Sequence, residues 1–353
     1  NSLRGTASST SSAIQRRYQP PTDKMRVSLE QAEKLAQDSL GALGYSAEEC
    51  RTIASHLIDC ELRGLEYSGL ARILSIADRL SANPSAGGAM RVTRESLVSA
   101  QLDGGDRLGY LVGEEATRIA IEKARASGIG AVGANNTWYT GMLSYYAQKV
   151  VTEGMVALLA SNATPWVAPF GGSEARFGTN PICFGFPSEQ VPLIWDIGTS
   201  EITHAQAVIA HRTDQPLPAG VAYDADGIAT RDPAAALTGS FVSWGGHKGS
   251  GLGLVVQLLG VLAGSPILPG RLRDFGFFVL AIRPDLFVDP EEFRRNVSEY
   301  AAHLRATRRL DADVPVRLPF ERSATLRAER IERGSIDLED VVYAAVLELA
   351  ESR

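Results

Sequence analysis

Groups that bind soft metals or form disulfides are scarce in this 353-residue chain, which has three cysteines and five histidines. Cys50, Cys60 and Cys183 are odd in number and lack metal-type spacing. That pattern points to free thiols in a reducing, cytoplasmic setting. His56, His204, His211, His247 and His303 form no His-Glu-x-x-His or Cys-x-x-Cys cluster, so no metal site is expected. An excess of basic charge is missing too. Lys plus Arg number 35 against 41 Asp plus Glu, a net charge of −6 with no basic stripe, which argues against nucleic acid as the main partner. No apolar run is long enough to cross a bilayer, so no membrane partner is expected. The longest, residues 252–263, is broken by Gln257 and glycines and reads as a core helix. Internal repeats and heptads are also absent.

The length suits one large or two medium domains, and 44% hydrophobic with 22% charged residues is an ordinary globular composition. Residues 1–24 are Ser/Thr-rich, then Arg/Pro-rich, with no hydrophobic period. They read as a disordered extension or an expression remnant, with a transit peptide ranked third and Met25 as the natural start. Ser28 with Gln31, and Ser46 with Glu49, are capping boxes that open two amphipathic helices. A third helix is expected over 70–80 and a fourth over 114–126. Residues 128–133 match Gly-x-Gly-x-x-Gly, but they follow a helix and read as a strand. A Rossmann fingerprint follows a strand and opens a helix, so no Rossmann site is expected there. Residues 135–141 read as a polar, aromatic turn before a helix near 142–151. Strands are expected at 156–160, 182–186, 193–195 and 277–282, and a helix at 290–304. Residues 222–233 read as a double turn.

The stretch 243–252 is the most informative. Glycines at 245, 246, 249 and 251 surround His247 and Lys248, and an apolar helix follows. Glycine lets the backbone approach a ligand closely, and the first turn of a helix has free N–H groups suited to an anion. Two readings stand on local grounds: a site for a phosphate or carboxylate, or a packing turn.

Other segments join it in order: Arg63-Gly64, Phe-Gly-Thr-Asn-Pro at 177–181, Asp196 with Thr199 and Ser200, Asp-Ala-Asp-Gly at 224–227, Asp232-Pro233, and Pro-x-Glu ending at Glu321. As an ordered set the chain resembles the malate/L-lactate dehydrogenase family distinct from the Rossmann-type lactate dehydrogenases. That family also includes ureidoglycolate, sulfolactate, diketogulonate and cyclic imino acid oxidoreductases. The resemblance implies a mixed α/β, non-Rossmann fold. A largely antiparallel nucleotide-binding sheet domain, about 131–269, would be inserted between helical N- and C-terminal segments. Those segments, 25–130 and 270–353, would form a substrate and dimerisation domain. It further implies a homodimer with the active site near the subunit interface, a small-molecule substrate, and NAD or NADP as cofactor. By resemblance, Asp196, Thr199, Ser200, His247, Lys248, Gly249 and Glu321 border the dinucleotide. Asn180 and Pro181 shape the site, and Arg72 is placed to clamp a substrate carboxylate.

The chain departs from the family at the catalytic positions. The family's Arg-Gly-x-Asp/Glu-Ser-His-Gly is Arg-Gly-Leu-Glu-Tyr-Ser-Gly at 63–69, so Tyr67 and Ser68 stand where Ser and His are expected. A second family histidine corresponds to Trp138, followed by Tyr139. His204 and His247 are the histidines left near the cofactor-side motifs. Reducing a ketone puts hydride on carbon and needs a proton on oxygen, and a positioned acid contributes about 10²–10⁴-fold. Three readings follow: a cyclic imine or iminium reductase, which needs less acid help; a ketone or hydroxy-acid dehydrogenase with Tyr67 or Tyr139 as acid; or a non-redox cyclase, isomerase or inactive partner using an aromatic-lined pocket. The cofactor-side motifs favour the redox readings, and the missing histidines favour the imine among them.

Overall fold

The computed structural model describes residues 24–83 and 87–352. Of the N-terminal extension expected over 1–24, only Lys24 lies within the described residues. Strand β1 (Lys24–Ser28) runs into helix α1 (Leu29–Ala42), where Ser28 accepts the Gln31 N–H and Gln31 accepts the Ser28 N–H. Helix α2 (Ala47–Leu62) starts with the same reciprocal pair, Ser46 and Glu49. These caps satisfy backbone donors that a helix start otherwise leaves unpaired. A 3₁₀ turn, Glu66–Ser68, leads to α3 (Arg72–Ala82).

The chain then builds β2 (Arg91–Glu95), β3 (Ser99–Leu108), α4 (Gly109–Ser127), β4 (Ile129–Trp138) and α5 (Leu143–Thr152). Strands β5 (Val156–Ser161), β6 (Val167–Ala168), β7 (Ile182–Phe186) and β8 (Leu193–Ile197) follow, then α6 (His204–Arg212), β9 (Ala222–Tyr223), α7 (Pro233–Thr238), β10 (Ser240–Val242) and α8 (His247–Leu262). The last elements are β11 (Phe275–Ile282), α9 (Pro290–Arg305), α10 (Glu321–Arg333), β12 (Ser335–Glu339) and α11 (Asp340–Glu351).

The central sheet has the order β2-β3-β4-β11-β5-β7-β8, and only β3 and β4 are parallel. The fold is thus mixed α/β around a largely antiparallel sheet. Helices α4 and α5 cover one face with Val112, Ala120, Tyr146 and Val150. Helix α8 covers the other, with Val256 against Ala160 and Ile182. A three-stranded sheet, β6-β10-β9, has its own small core under α6, with Phe241, Val167 and Ala207. The N- and C-termini close together: β1 pairs antiparallel with β12, and Leu40, Ile53 and Ile73 share a core with Ile336 and Val346. The sheet takes β2 and β3 from before residue 131 and β11 from after 269, so it crosses the segment boundaries drawn from the sequence.

The glycines at 128–133 have packing reasons. Gly128 ends α4 at φ 87°, and a Cβ on Gly130 would lie 2.0 Å from the Ala120 carbonyl oxygen on α4. Strand β4 continues to Trp138, through residues expected to form a turn. It does so because β3 stays paired with it to Leu108 after a register shift between Asp103 and Arg107.

Candidate active site

A cavity of about 290 Å³ opens where four segments meet. The turn before α3 supplies Tyr67 and Ser68, and α3 supplies Arg72. The end of β4 supplies Tyr139 to Met142. Thr179, Pro181 and Asp196 come from the β7–β8 side, and Thr203 and His204 from the start of α6. Tyr110, Trp166 and Phe275 complete an aromatic lining. Of the residues singled out in the sequence, Tyr67, Ser68, Arg72, Tyr139, Pro181 and Asp196 therefore share one cavity.

Tyr139 has φ 51°, an uncommon backbone state for a side chain of this size. The residues around it hold that state. The Arg72 guanidinium carbon lies 4.7 Å from the centre of the Tyr139 ring. Arg72 forms no ion pair with a carboxylate among the described residues. Its charge therefore remains available to an anionic ligand.

The next residues on that segment are fixed from behind. His56 on α2 is buried among Tyr110, Tyr145 and Tyr146, and its Nε2 accepts the Met142 N–H at 3.0 Å. Burial pushes its pKa down to about 3, with the Lys149 charge assisting, so the ring is neutral. Gly141 has φ 75°, and a Cβ there would lie 2.5 Å from His56 Nε2, so only glycine fits. Asp196 closes the other side. Its Oδ2 accepts the Ser144 N–H at 2.7 Å at the start of α5, and burial raises its pKa above the usual carboxylate value despite that bond.

His204 is brought in by a capping box, in which Thr203 accepts the Gln206 N–H and Gln206 accepts the Thr203 N–H. Its ring stacks on Trp166 with centroids 3.9 Å apart and planes 22° apart. Burial, then the charges of Arg72 and Arg271, lower its pKa to about 4. The phenols of Tyr67 and Tyr110 are pushed up, chiefly by burial.

The remaining sequence candidates do not line this cavity. Trp138 is buried behind the wall, donates its indole N–H to the Asp106 carbonyl at 3.0 Å and carries Arg79 over its ring. Asn180 is buried and gives its amide to the Gly253 carbonyl and to Gln257 Oε1, which ties its loop to α8. Thr199 Oγ1 donates to the Thr179 and Asn180 carbonyls, and Ser200 Oγ to the Ile202 carbonyl. Glu321 pairs with Arg305 and accepts the Leu318 N–H. His247 and Lys248 are exposed on the first turn of α8, and Gly249 is packed under Trp244.

The malate/L-lactate dehydrogenase family model matches residues 27–347. The chain belongs to that family. It is 33% identical over 340 residues to a (2R)-3-sulfolactate dehydrogenase (NADP(+)) from Chromohalobacter salexigens, covering 93% of this chain and 98% of the relative. Among solved structures it is similar to a dehydrogenase from Sinorhizobium meliloti, with a TM-score of 0.86 and 29% identity, covering 93% of this chain and 99% of that one. It is also similar to delta1-piperideine-2-carboxylate reductase from Pseudomonas syringae pvar. tomato, with a TM-score of 0.80 and 27% identity, covering 92% and 99% of the two chains.

Within this family member, no sequence pattern singles out Trp166, Tyr110 or Phe275, and His56 stands only among the five histidines without a role. His204 also has no role assigned from sequence. Only the capping pattern Thr-x-x-Gln at 203–206 signals that a histidine begins a helix there. The partners that make the position chemical, Trp166 and Arg72, are remote in sequence.

Proposed function

We propose that this protein is an NAD(P)H-dependent reductase of a small cyclic imino acid. The observation that carries the reading is an Arg72 guanidinium without an ion-pair partner in a cavity where burial favours the uncharged forms of Tyr67, Tyr110 and His204. The phenols of Tyr67 and Tyr110 are pushed up and the His204 ring is pushed down to about 4. Such a cavity binds a carboxylate and offers no ready imidazolium acid. A protonated C=N bond is already electrophilic and needs none.

The residues on the α8 side fit a dinucleotide. Gly245 and Gly246 take φ 64° and 63°, and a Cβ on Gly245 would meet nothing within 4 Å, so there is open space over this turn. No side chain caps α8, and the Lys248 charge forms no ion pair among the described residues. An uncapped helix start beside a free cation suits a pyrophosphate. Lys248, His247 and Ser200 are the side chains we assign to it. When bound, the reduced nicotinamide supplies the hydride. Arg72 then holds the substrate carboxylate, Tyr139 and Trp166 limit its orientations, and the aromatic lining keeps water away.

A second reading has its own support. The raised pKa of Asp196 lets it carry a proton to a ketone oxygen, which suits a 2-keto acid. Titrating NADH and NADPH by fluorescence tests the shared part, with saturable binding of one or both expected. Turnover on delta1-piperideine-2-carboxylate against pyruvate and oxaloacetate separates the two readings. A clear ketone preference would reject the imine.

We also assign a second copy of the chain to the outer face of α8. Leu254, Leu258 and Leu262 recur every four residues and are more than half exposed, and Ile267 beside them is 74% exposed. An apolar strip of this kind marks an interface. Leu258→Glu should convert a dimer to monomers in sedimentation velocity. A wild-type monomer at micromolar concentration would remove the assignment.

A further inference from the structure

A 2-imino acid carries its nitrogen and its carboxylate on the same carbon. A site for it must therefore present an anion-binding group and a group for the nitrogen side by side. Arg72 is the first of these. The start of α6 packs against the Glu66–Ser68 turn that leads into α3, and His204 lies close enough to Arg72 for the guanidinium charge to lower its pKa. Neither ring nitrogen of His204 is hydrogen-bonded among the described residues, while the ring plane is fixed by the stack on Trp166. A polar ring held in place with both nitrogens free, at the edge of a cavity, is arranged for a ligand.

We infer, on the reading of the protein as an imino acid reductase, that His204 is the catalytic residue that meets the reacting nitrogen. Its free ring nitrogen accepts the N–H of the bound iminium while Arg72 holds the carboxylate. The iminium carbon gains a hydride from the reduced nicotinamide nucleotide, the C=N π pair moves to nitrogen, and the product is a neutral amine with no further proton taken up. The nucleotide leaves oxidised. An imidazole of ordinary basicity would compete with the imine for its proton. A ring held at about 4 leaves the proton on the substrate, where hydride transfer needs it. The groups that set this value are burial first, then Arg72 on α3 and Arg271 before β11, both cationic. Tyr67 on the adjoining turn has a raised pKa and stays neutral. This role is taken from α6, an element separate from both segments in which the family's histidines stand.

The test uses the full chain, His204→Phe and His204→Gln. Phenylalanine keeps a ring over Trp166 but cannot accept a hydrogen bond, whereas the glutamine amide can. With delta1-piperideine-2-carboxylate and saturating nucleotide, His204→Phe should move the alkaline limb of the kcat profile down by about one pH unit or more, because the bound iminium loses the acceptor that favours its protonated form. His204→Gln should keep that limb close to its wild-type position. Nucleotide affinity by fluorescence should be the same in all three proteins, which controls for folding. In the nucleotide-free chain, the His204 ring should titrate by NMR near 4. A rise in KM that is the same at every pH, with the alkaline limb unmoved, would make His204 a carboxylate anchor and overturn the assignment, as would an unchanged profile in His204→Phe or a titration above 6. A wild type that binds neither nucleotide, or prefers the ketones, would instead remove the parent reading and the assignment with it.

Discussion

The turn at the start of α8 and the wall of the cavity solve backbone problems differently. On the α8 side, Gly245 and Gly246 adopt positive φ, and Gly249 allows its turn to close on Trp244. On the cavity wall, Tyr139 adopts positive φ with a full side chain, beside Arg72. Glycine makes the first wall a surface of backbone N–H groups, indifferent to which side chains surround it. The second wall is defined by side chains: Tyr67, Tyr139, Trp166 and His204. A backbone wall suits a ligand shared by a whole family. A side-chain wall suits one that differs between members.

The largest effect that would test this contrast is Gly249→Ala. The added methyl would lie 1.6 Å from the Trp244 carbonyl oxygen. The turn must shift, with a loss of more than about 3 kcal/mol in chemical denaturation and loss of nucleotide binding. Retained binding would mean that this turn is not the nucleotide wall. Next comes Arg72→Met, which removes a charged donor from the cavity. KM for an acidic substrate should rise about 10–100-fold, with nucleotide affinity unchanged.

A pH effect sharpens the same comparison from beneath the substrate wall. Glu61 is fully buried and accepts the Leu70 N–H at 2.7 Å, behind the turn that carries Tyr67 and Ser68. Burial pushes its pKa up to about 8 from a model-compound value of 4.5, against opposing effects from the Leu70 hydrogen bond and the Arg330 and Lys24 charges. Between those two values the folded chain keeps a proton that the unfolded chain has lost. Stability therefore falls as pH rises through that window, by at most about 1.4 kcal/mol per pH unit from this group. Glu61→Gln keeps the acceptor and removes the charge. Its denaturation midpoint should vary less between pH 5 and 8 than that of the wild type.

The smallest effects are a pair. Gly246→Ala has room for its methyl, with Phe170 at 3.6 Å, so only the backbone conformation opposes it, at about 1–3 kcal/mol. Tyr139→Gly relieves strain and loses the contact with Arg72, so thermal stability should change by less than about 1 kcal/mol. Strong destabilisation by Tyr139→Gly would mean that this wall is held by the tyrosine ring more than by its backbone.

Much of this architecture was legible in local patterns. The two serine capping boxes, the strands near 156–161, 182–186 and 193–197, and the long α8 follow from capping chemistry and apolar period. Strands β1, β2, β3 and β12 were not read. Strand β3 carries two glycines and two aspartates, and its conformation depends on its pairing with β2 and β4. Trp138 shows the same limit at the site. In sequence it stands next to Tyr139 and shares its expected role, yet the bend at Tyr139 turns one ring into the core and the other toward Arg72.

The amino-acid sequence by itself determined the family and the glycine turn before α8, because each is a matter of residue type at a spacing. Only the tertiary structure decided which side chains meet in the cavity. His204, Trp166, Arg72 and Asp196 lie on separate elements. Their shared cavity, and the burial and charge that shift their protonation, arise only when α3, α6 and the β7–β8 side pack together.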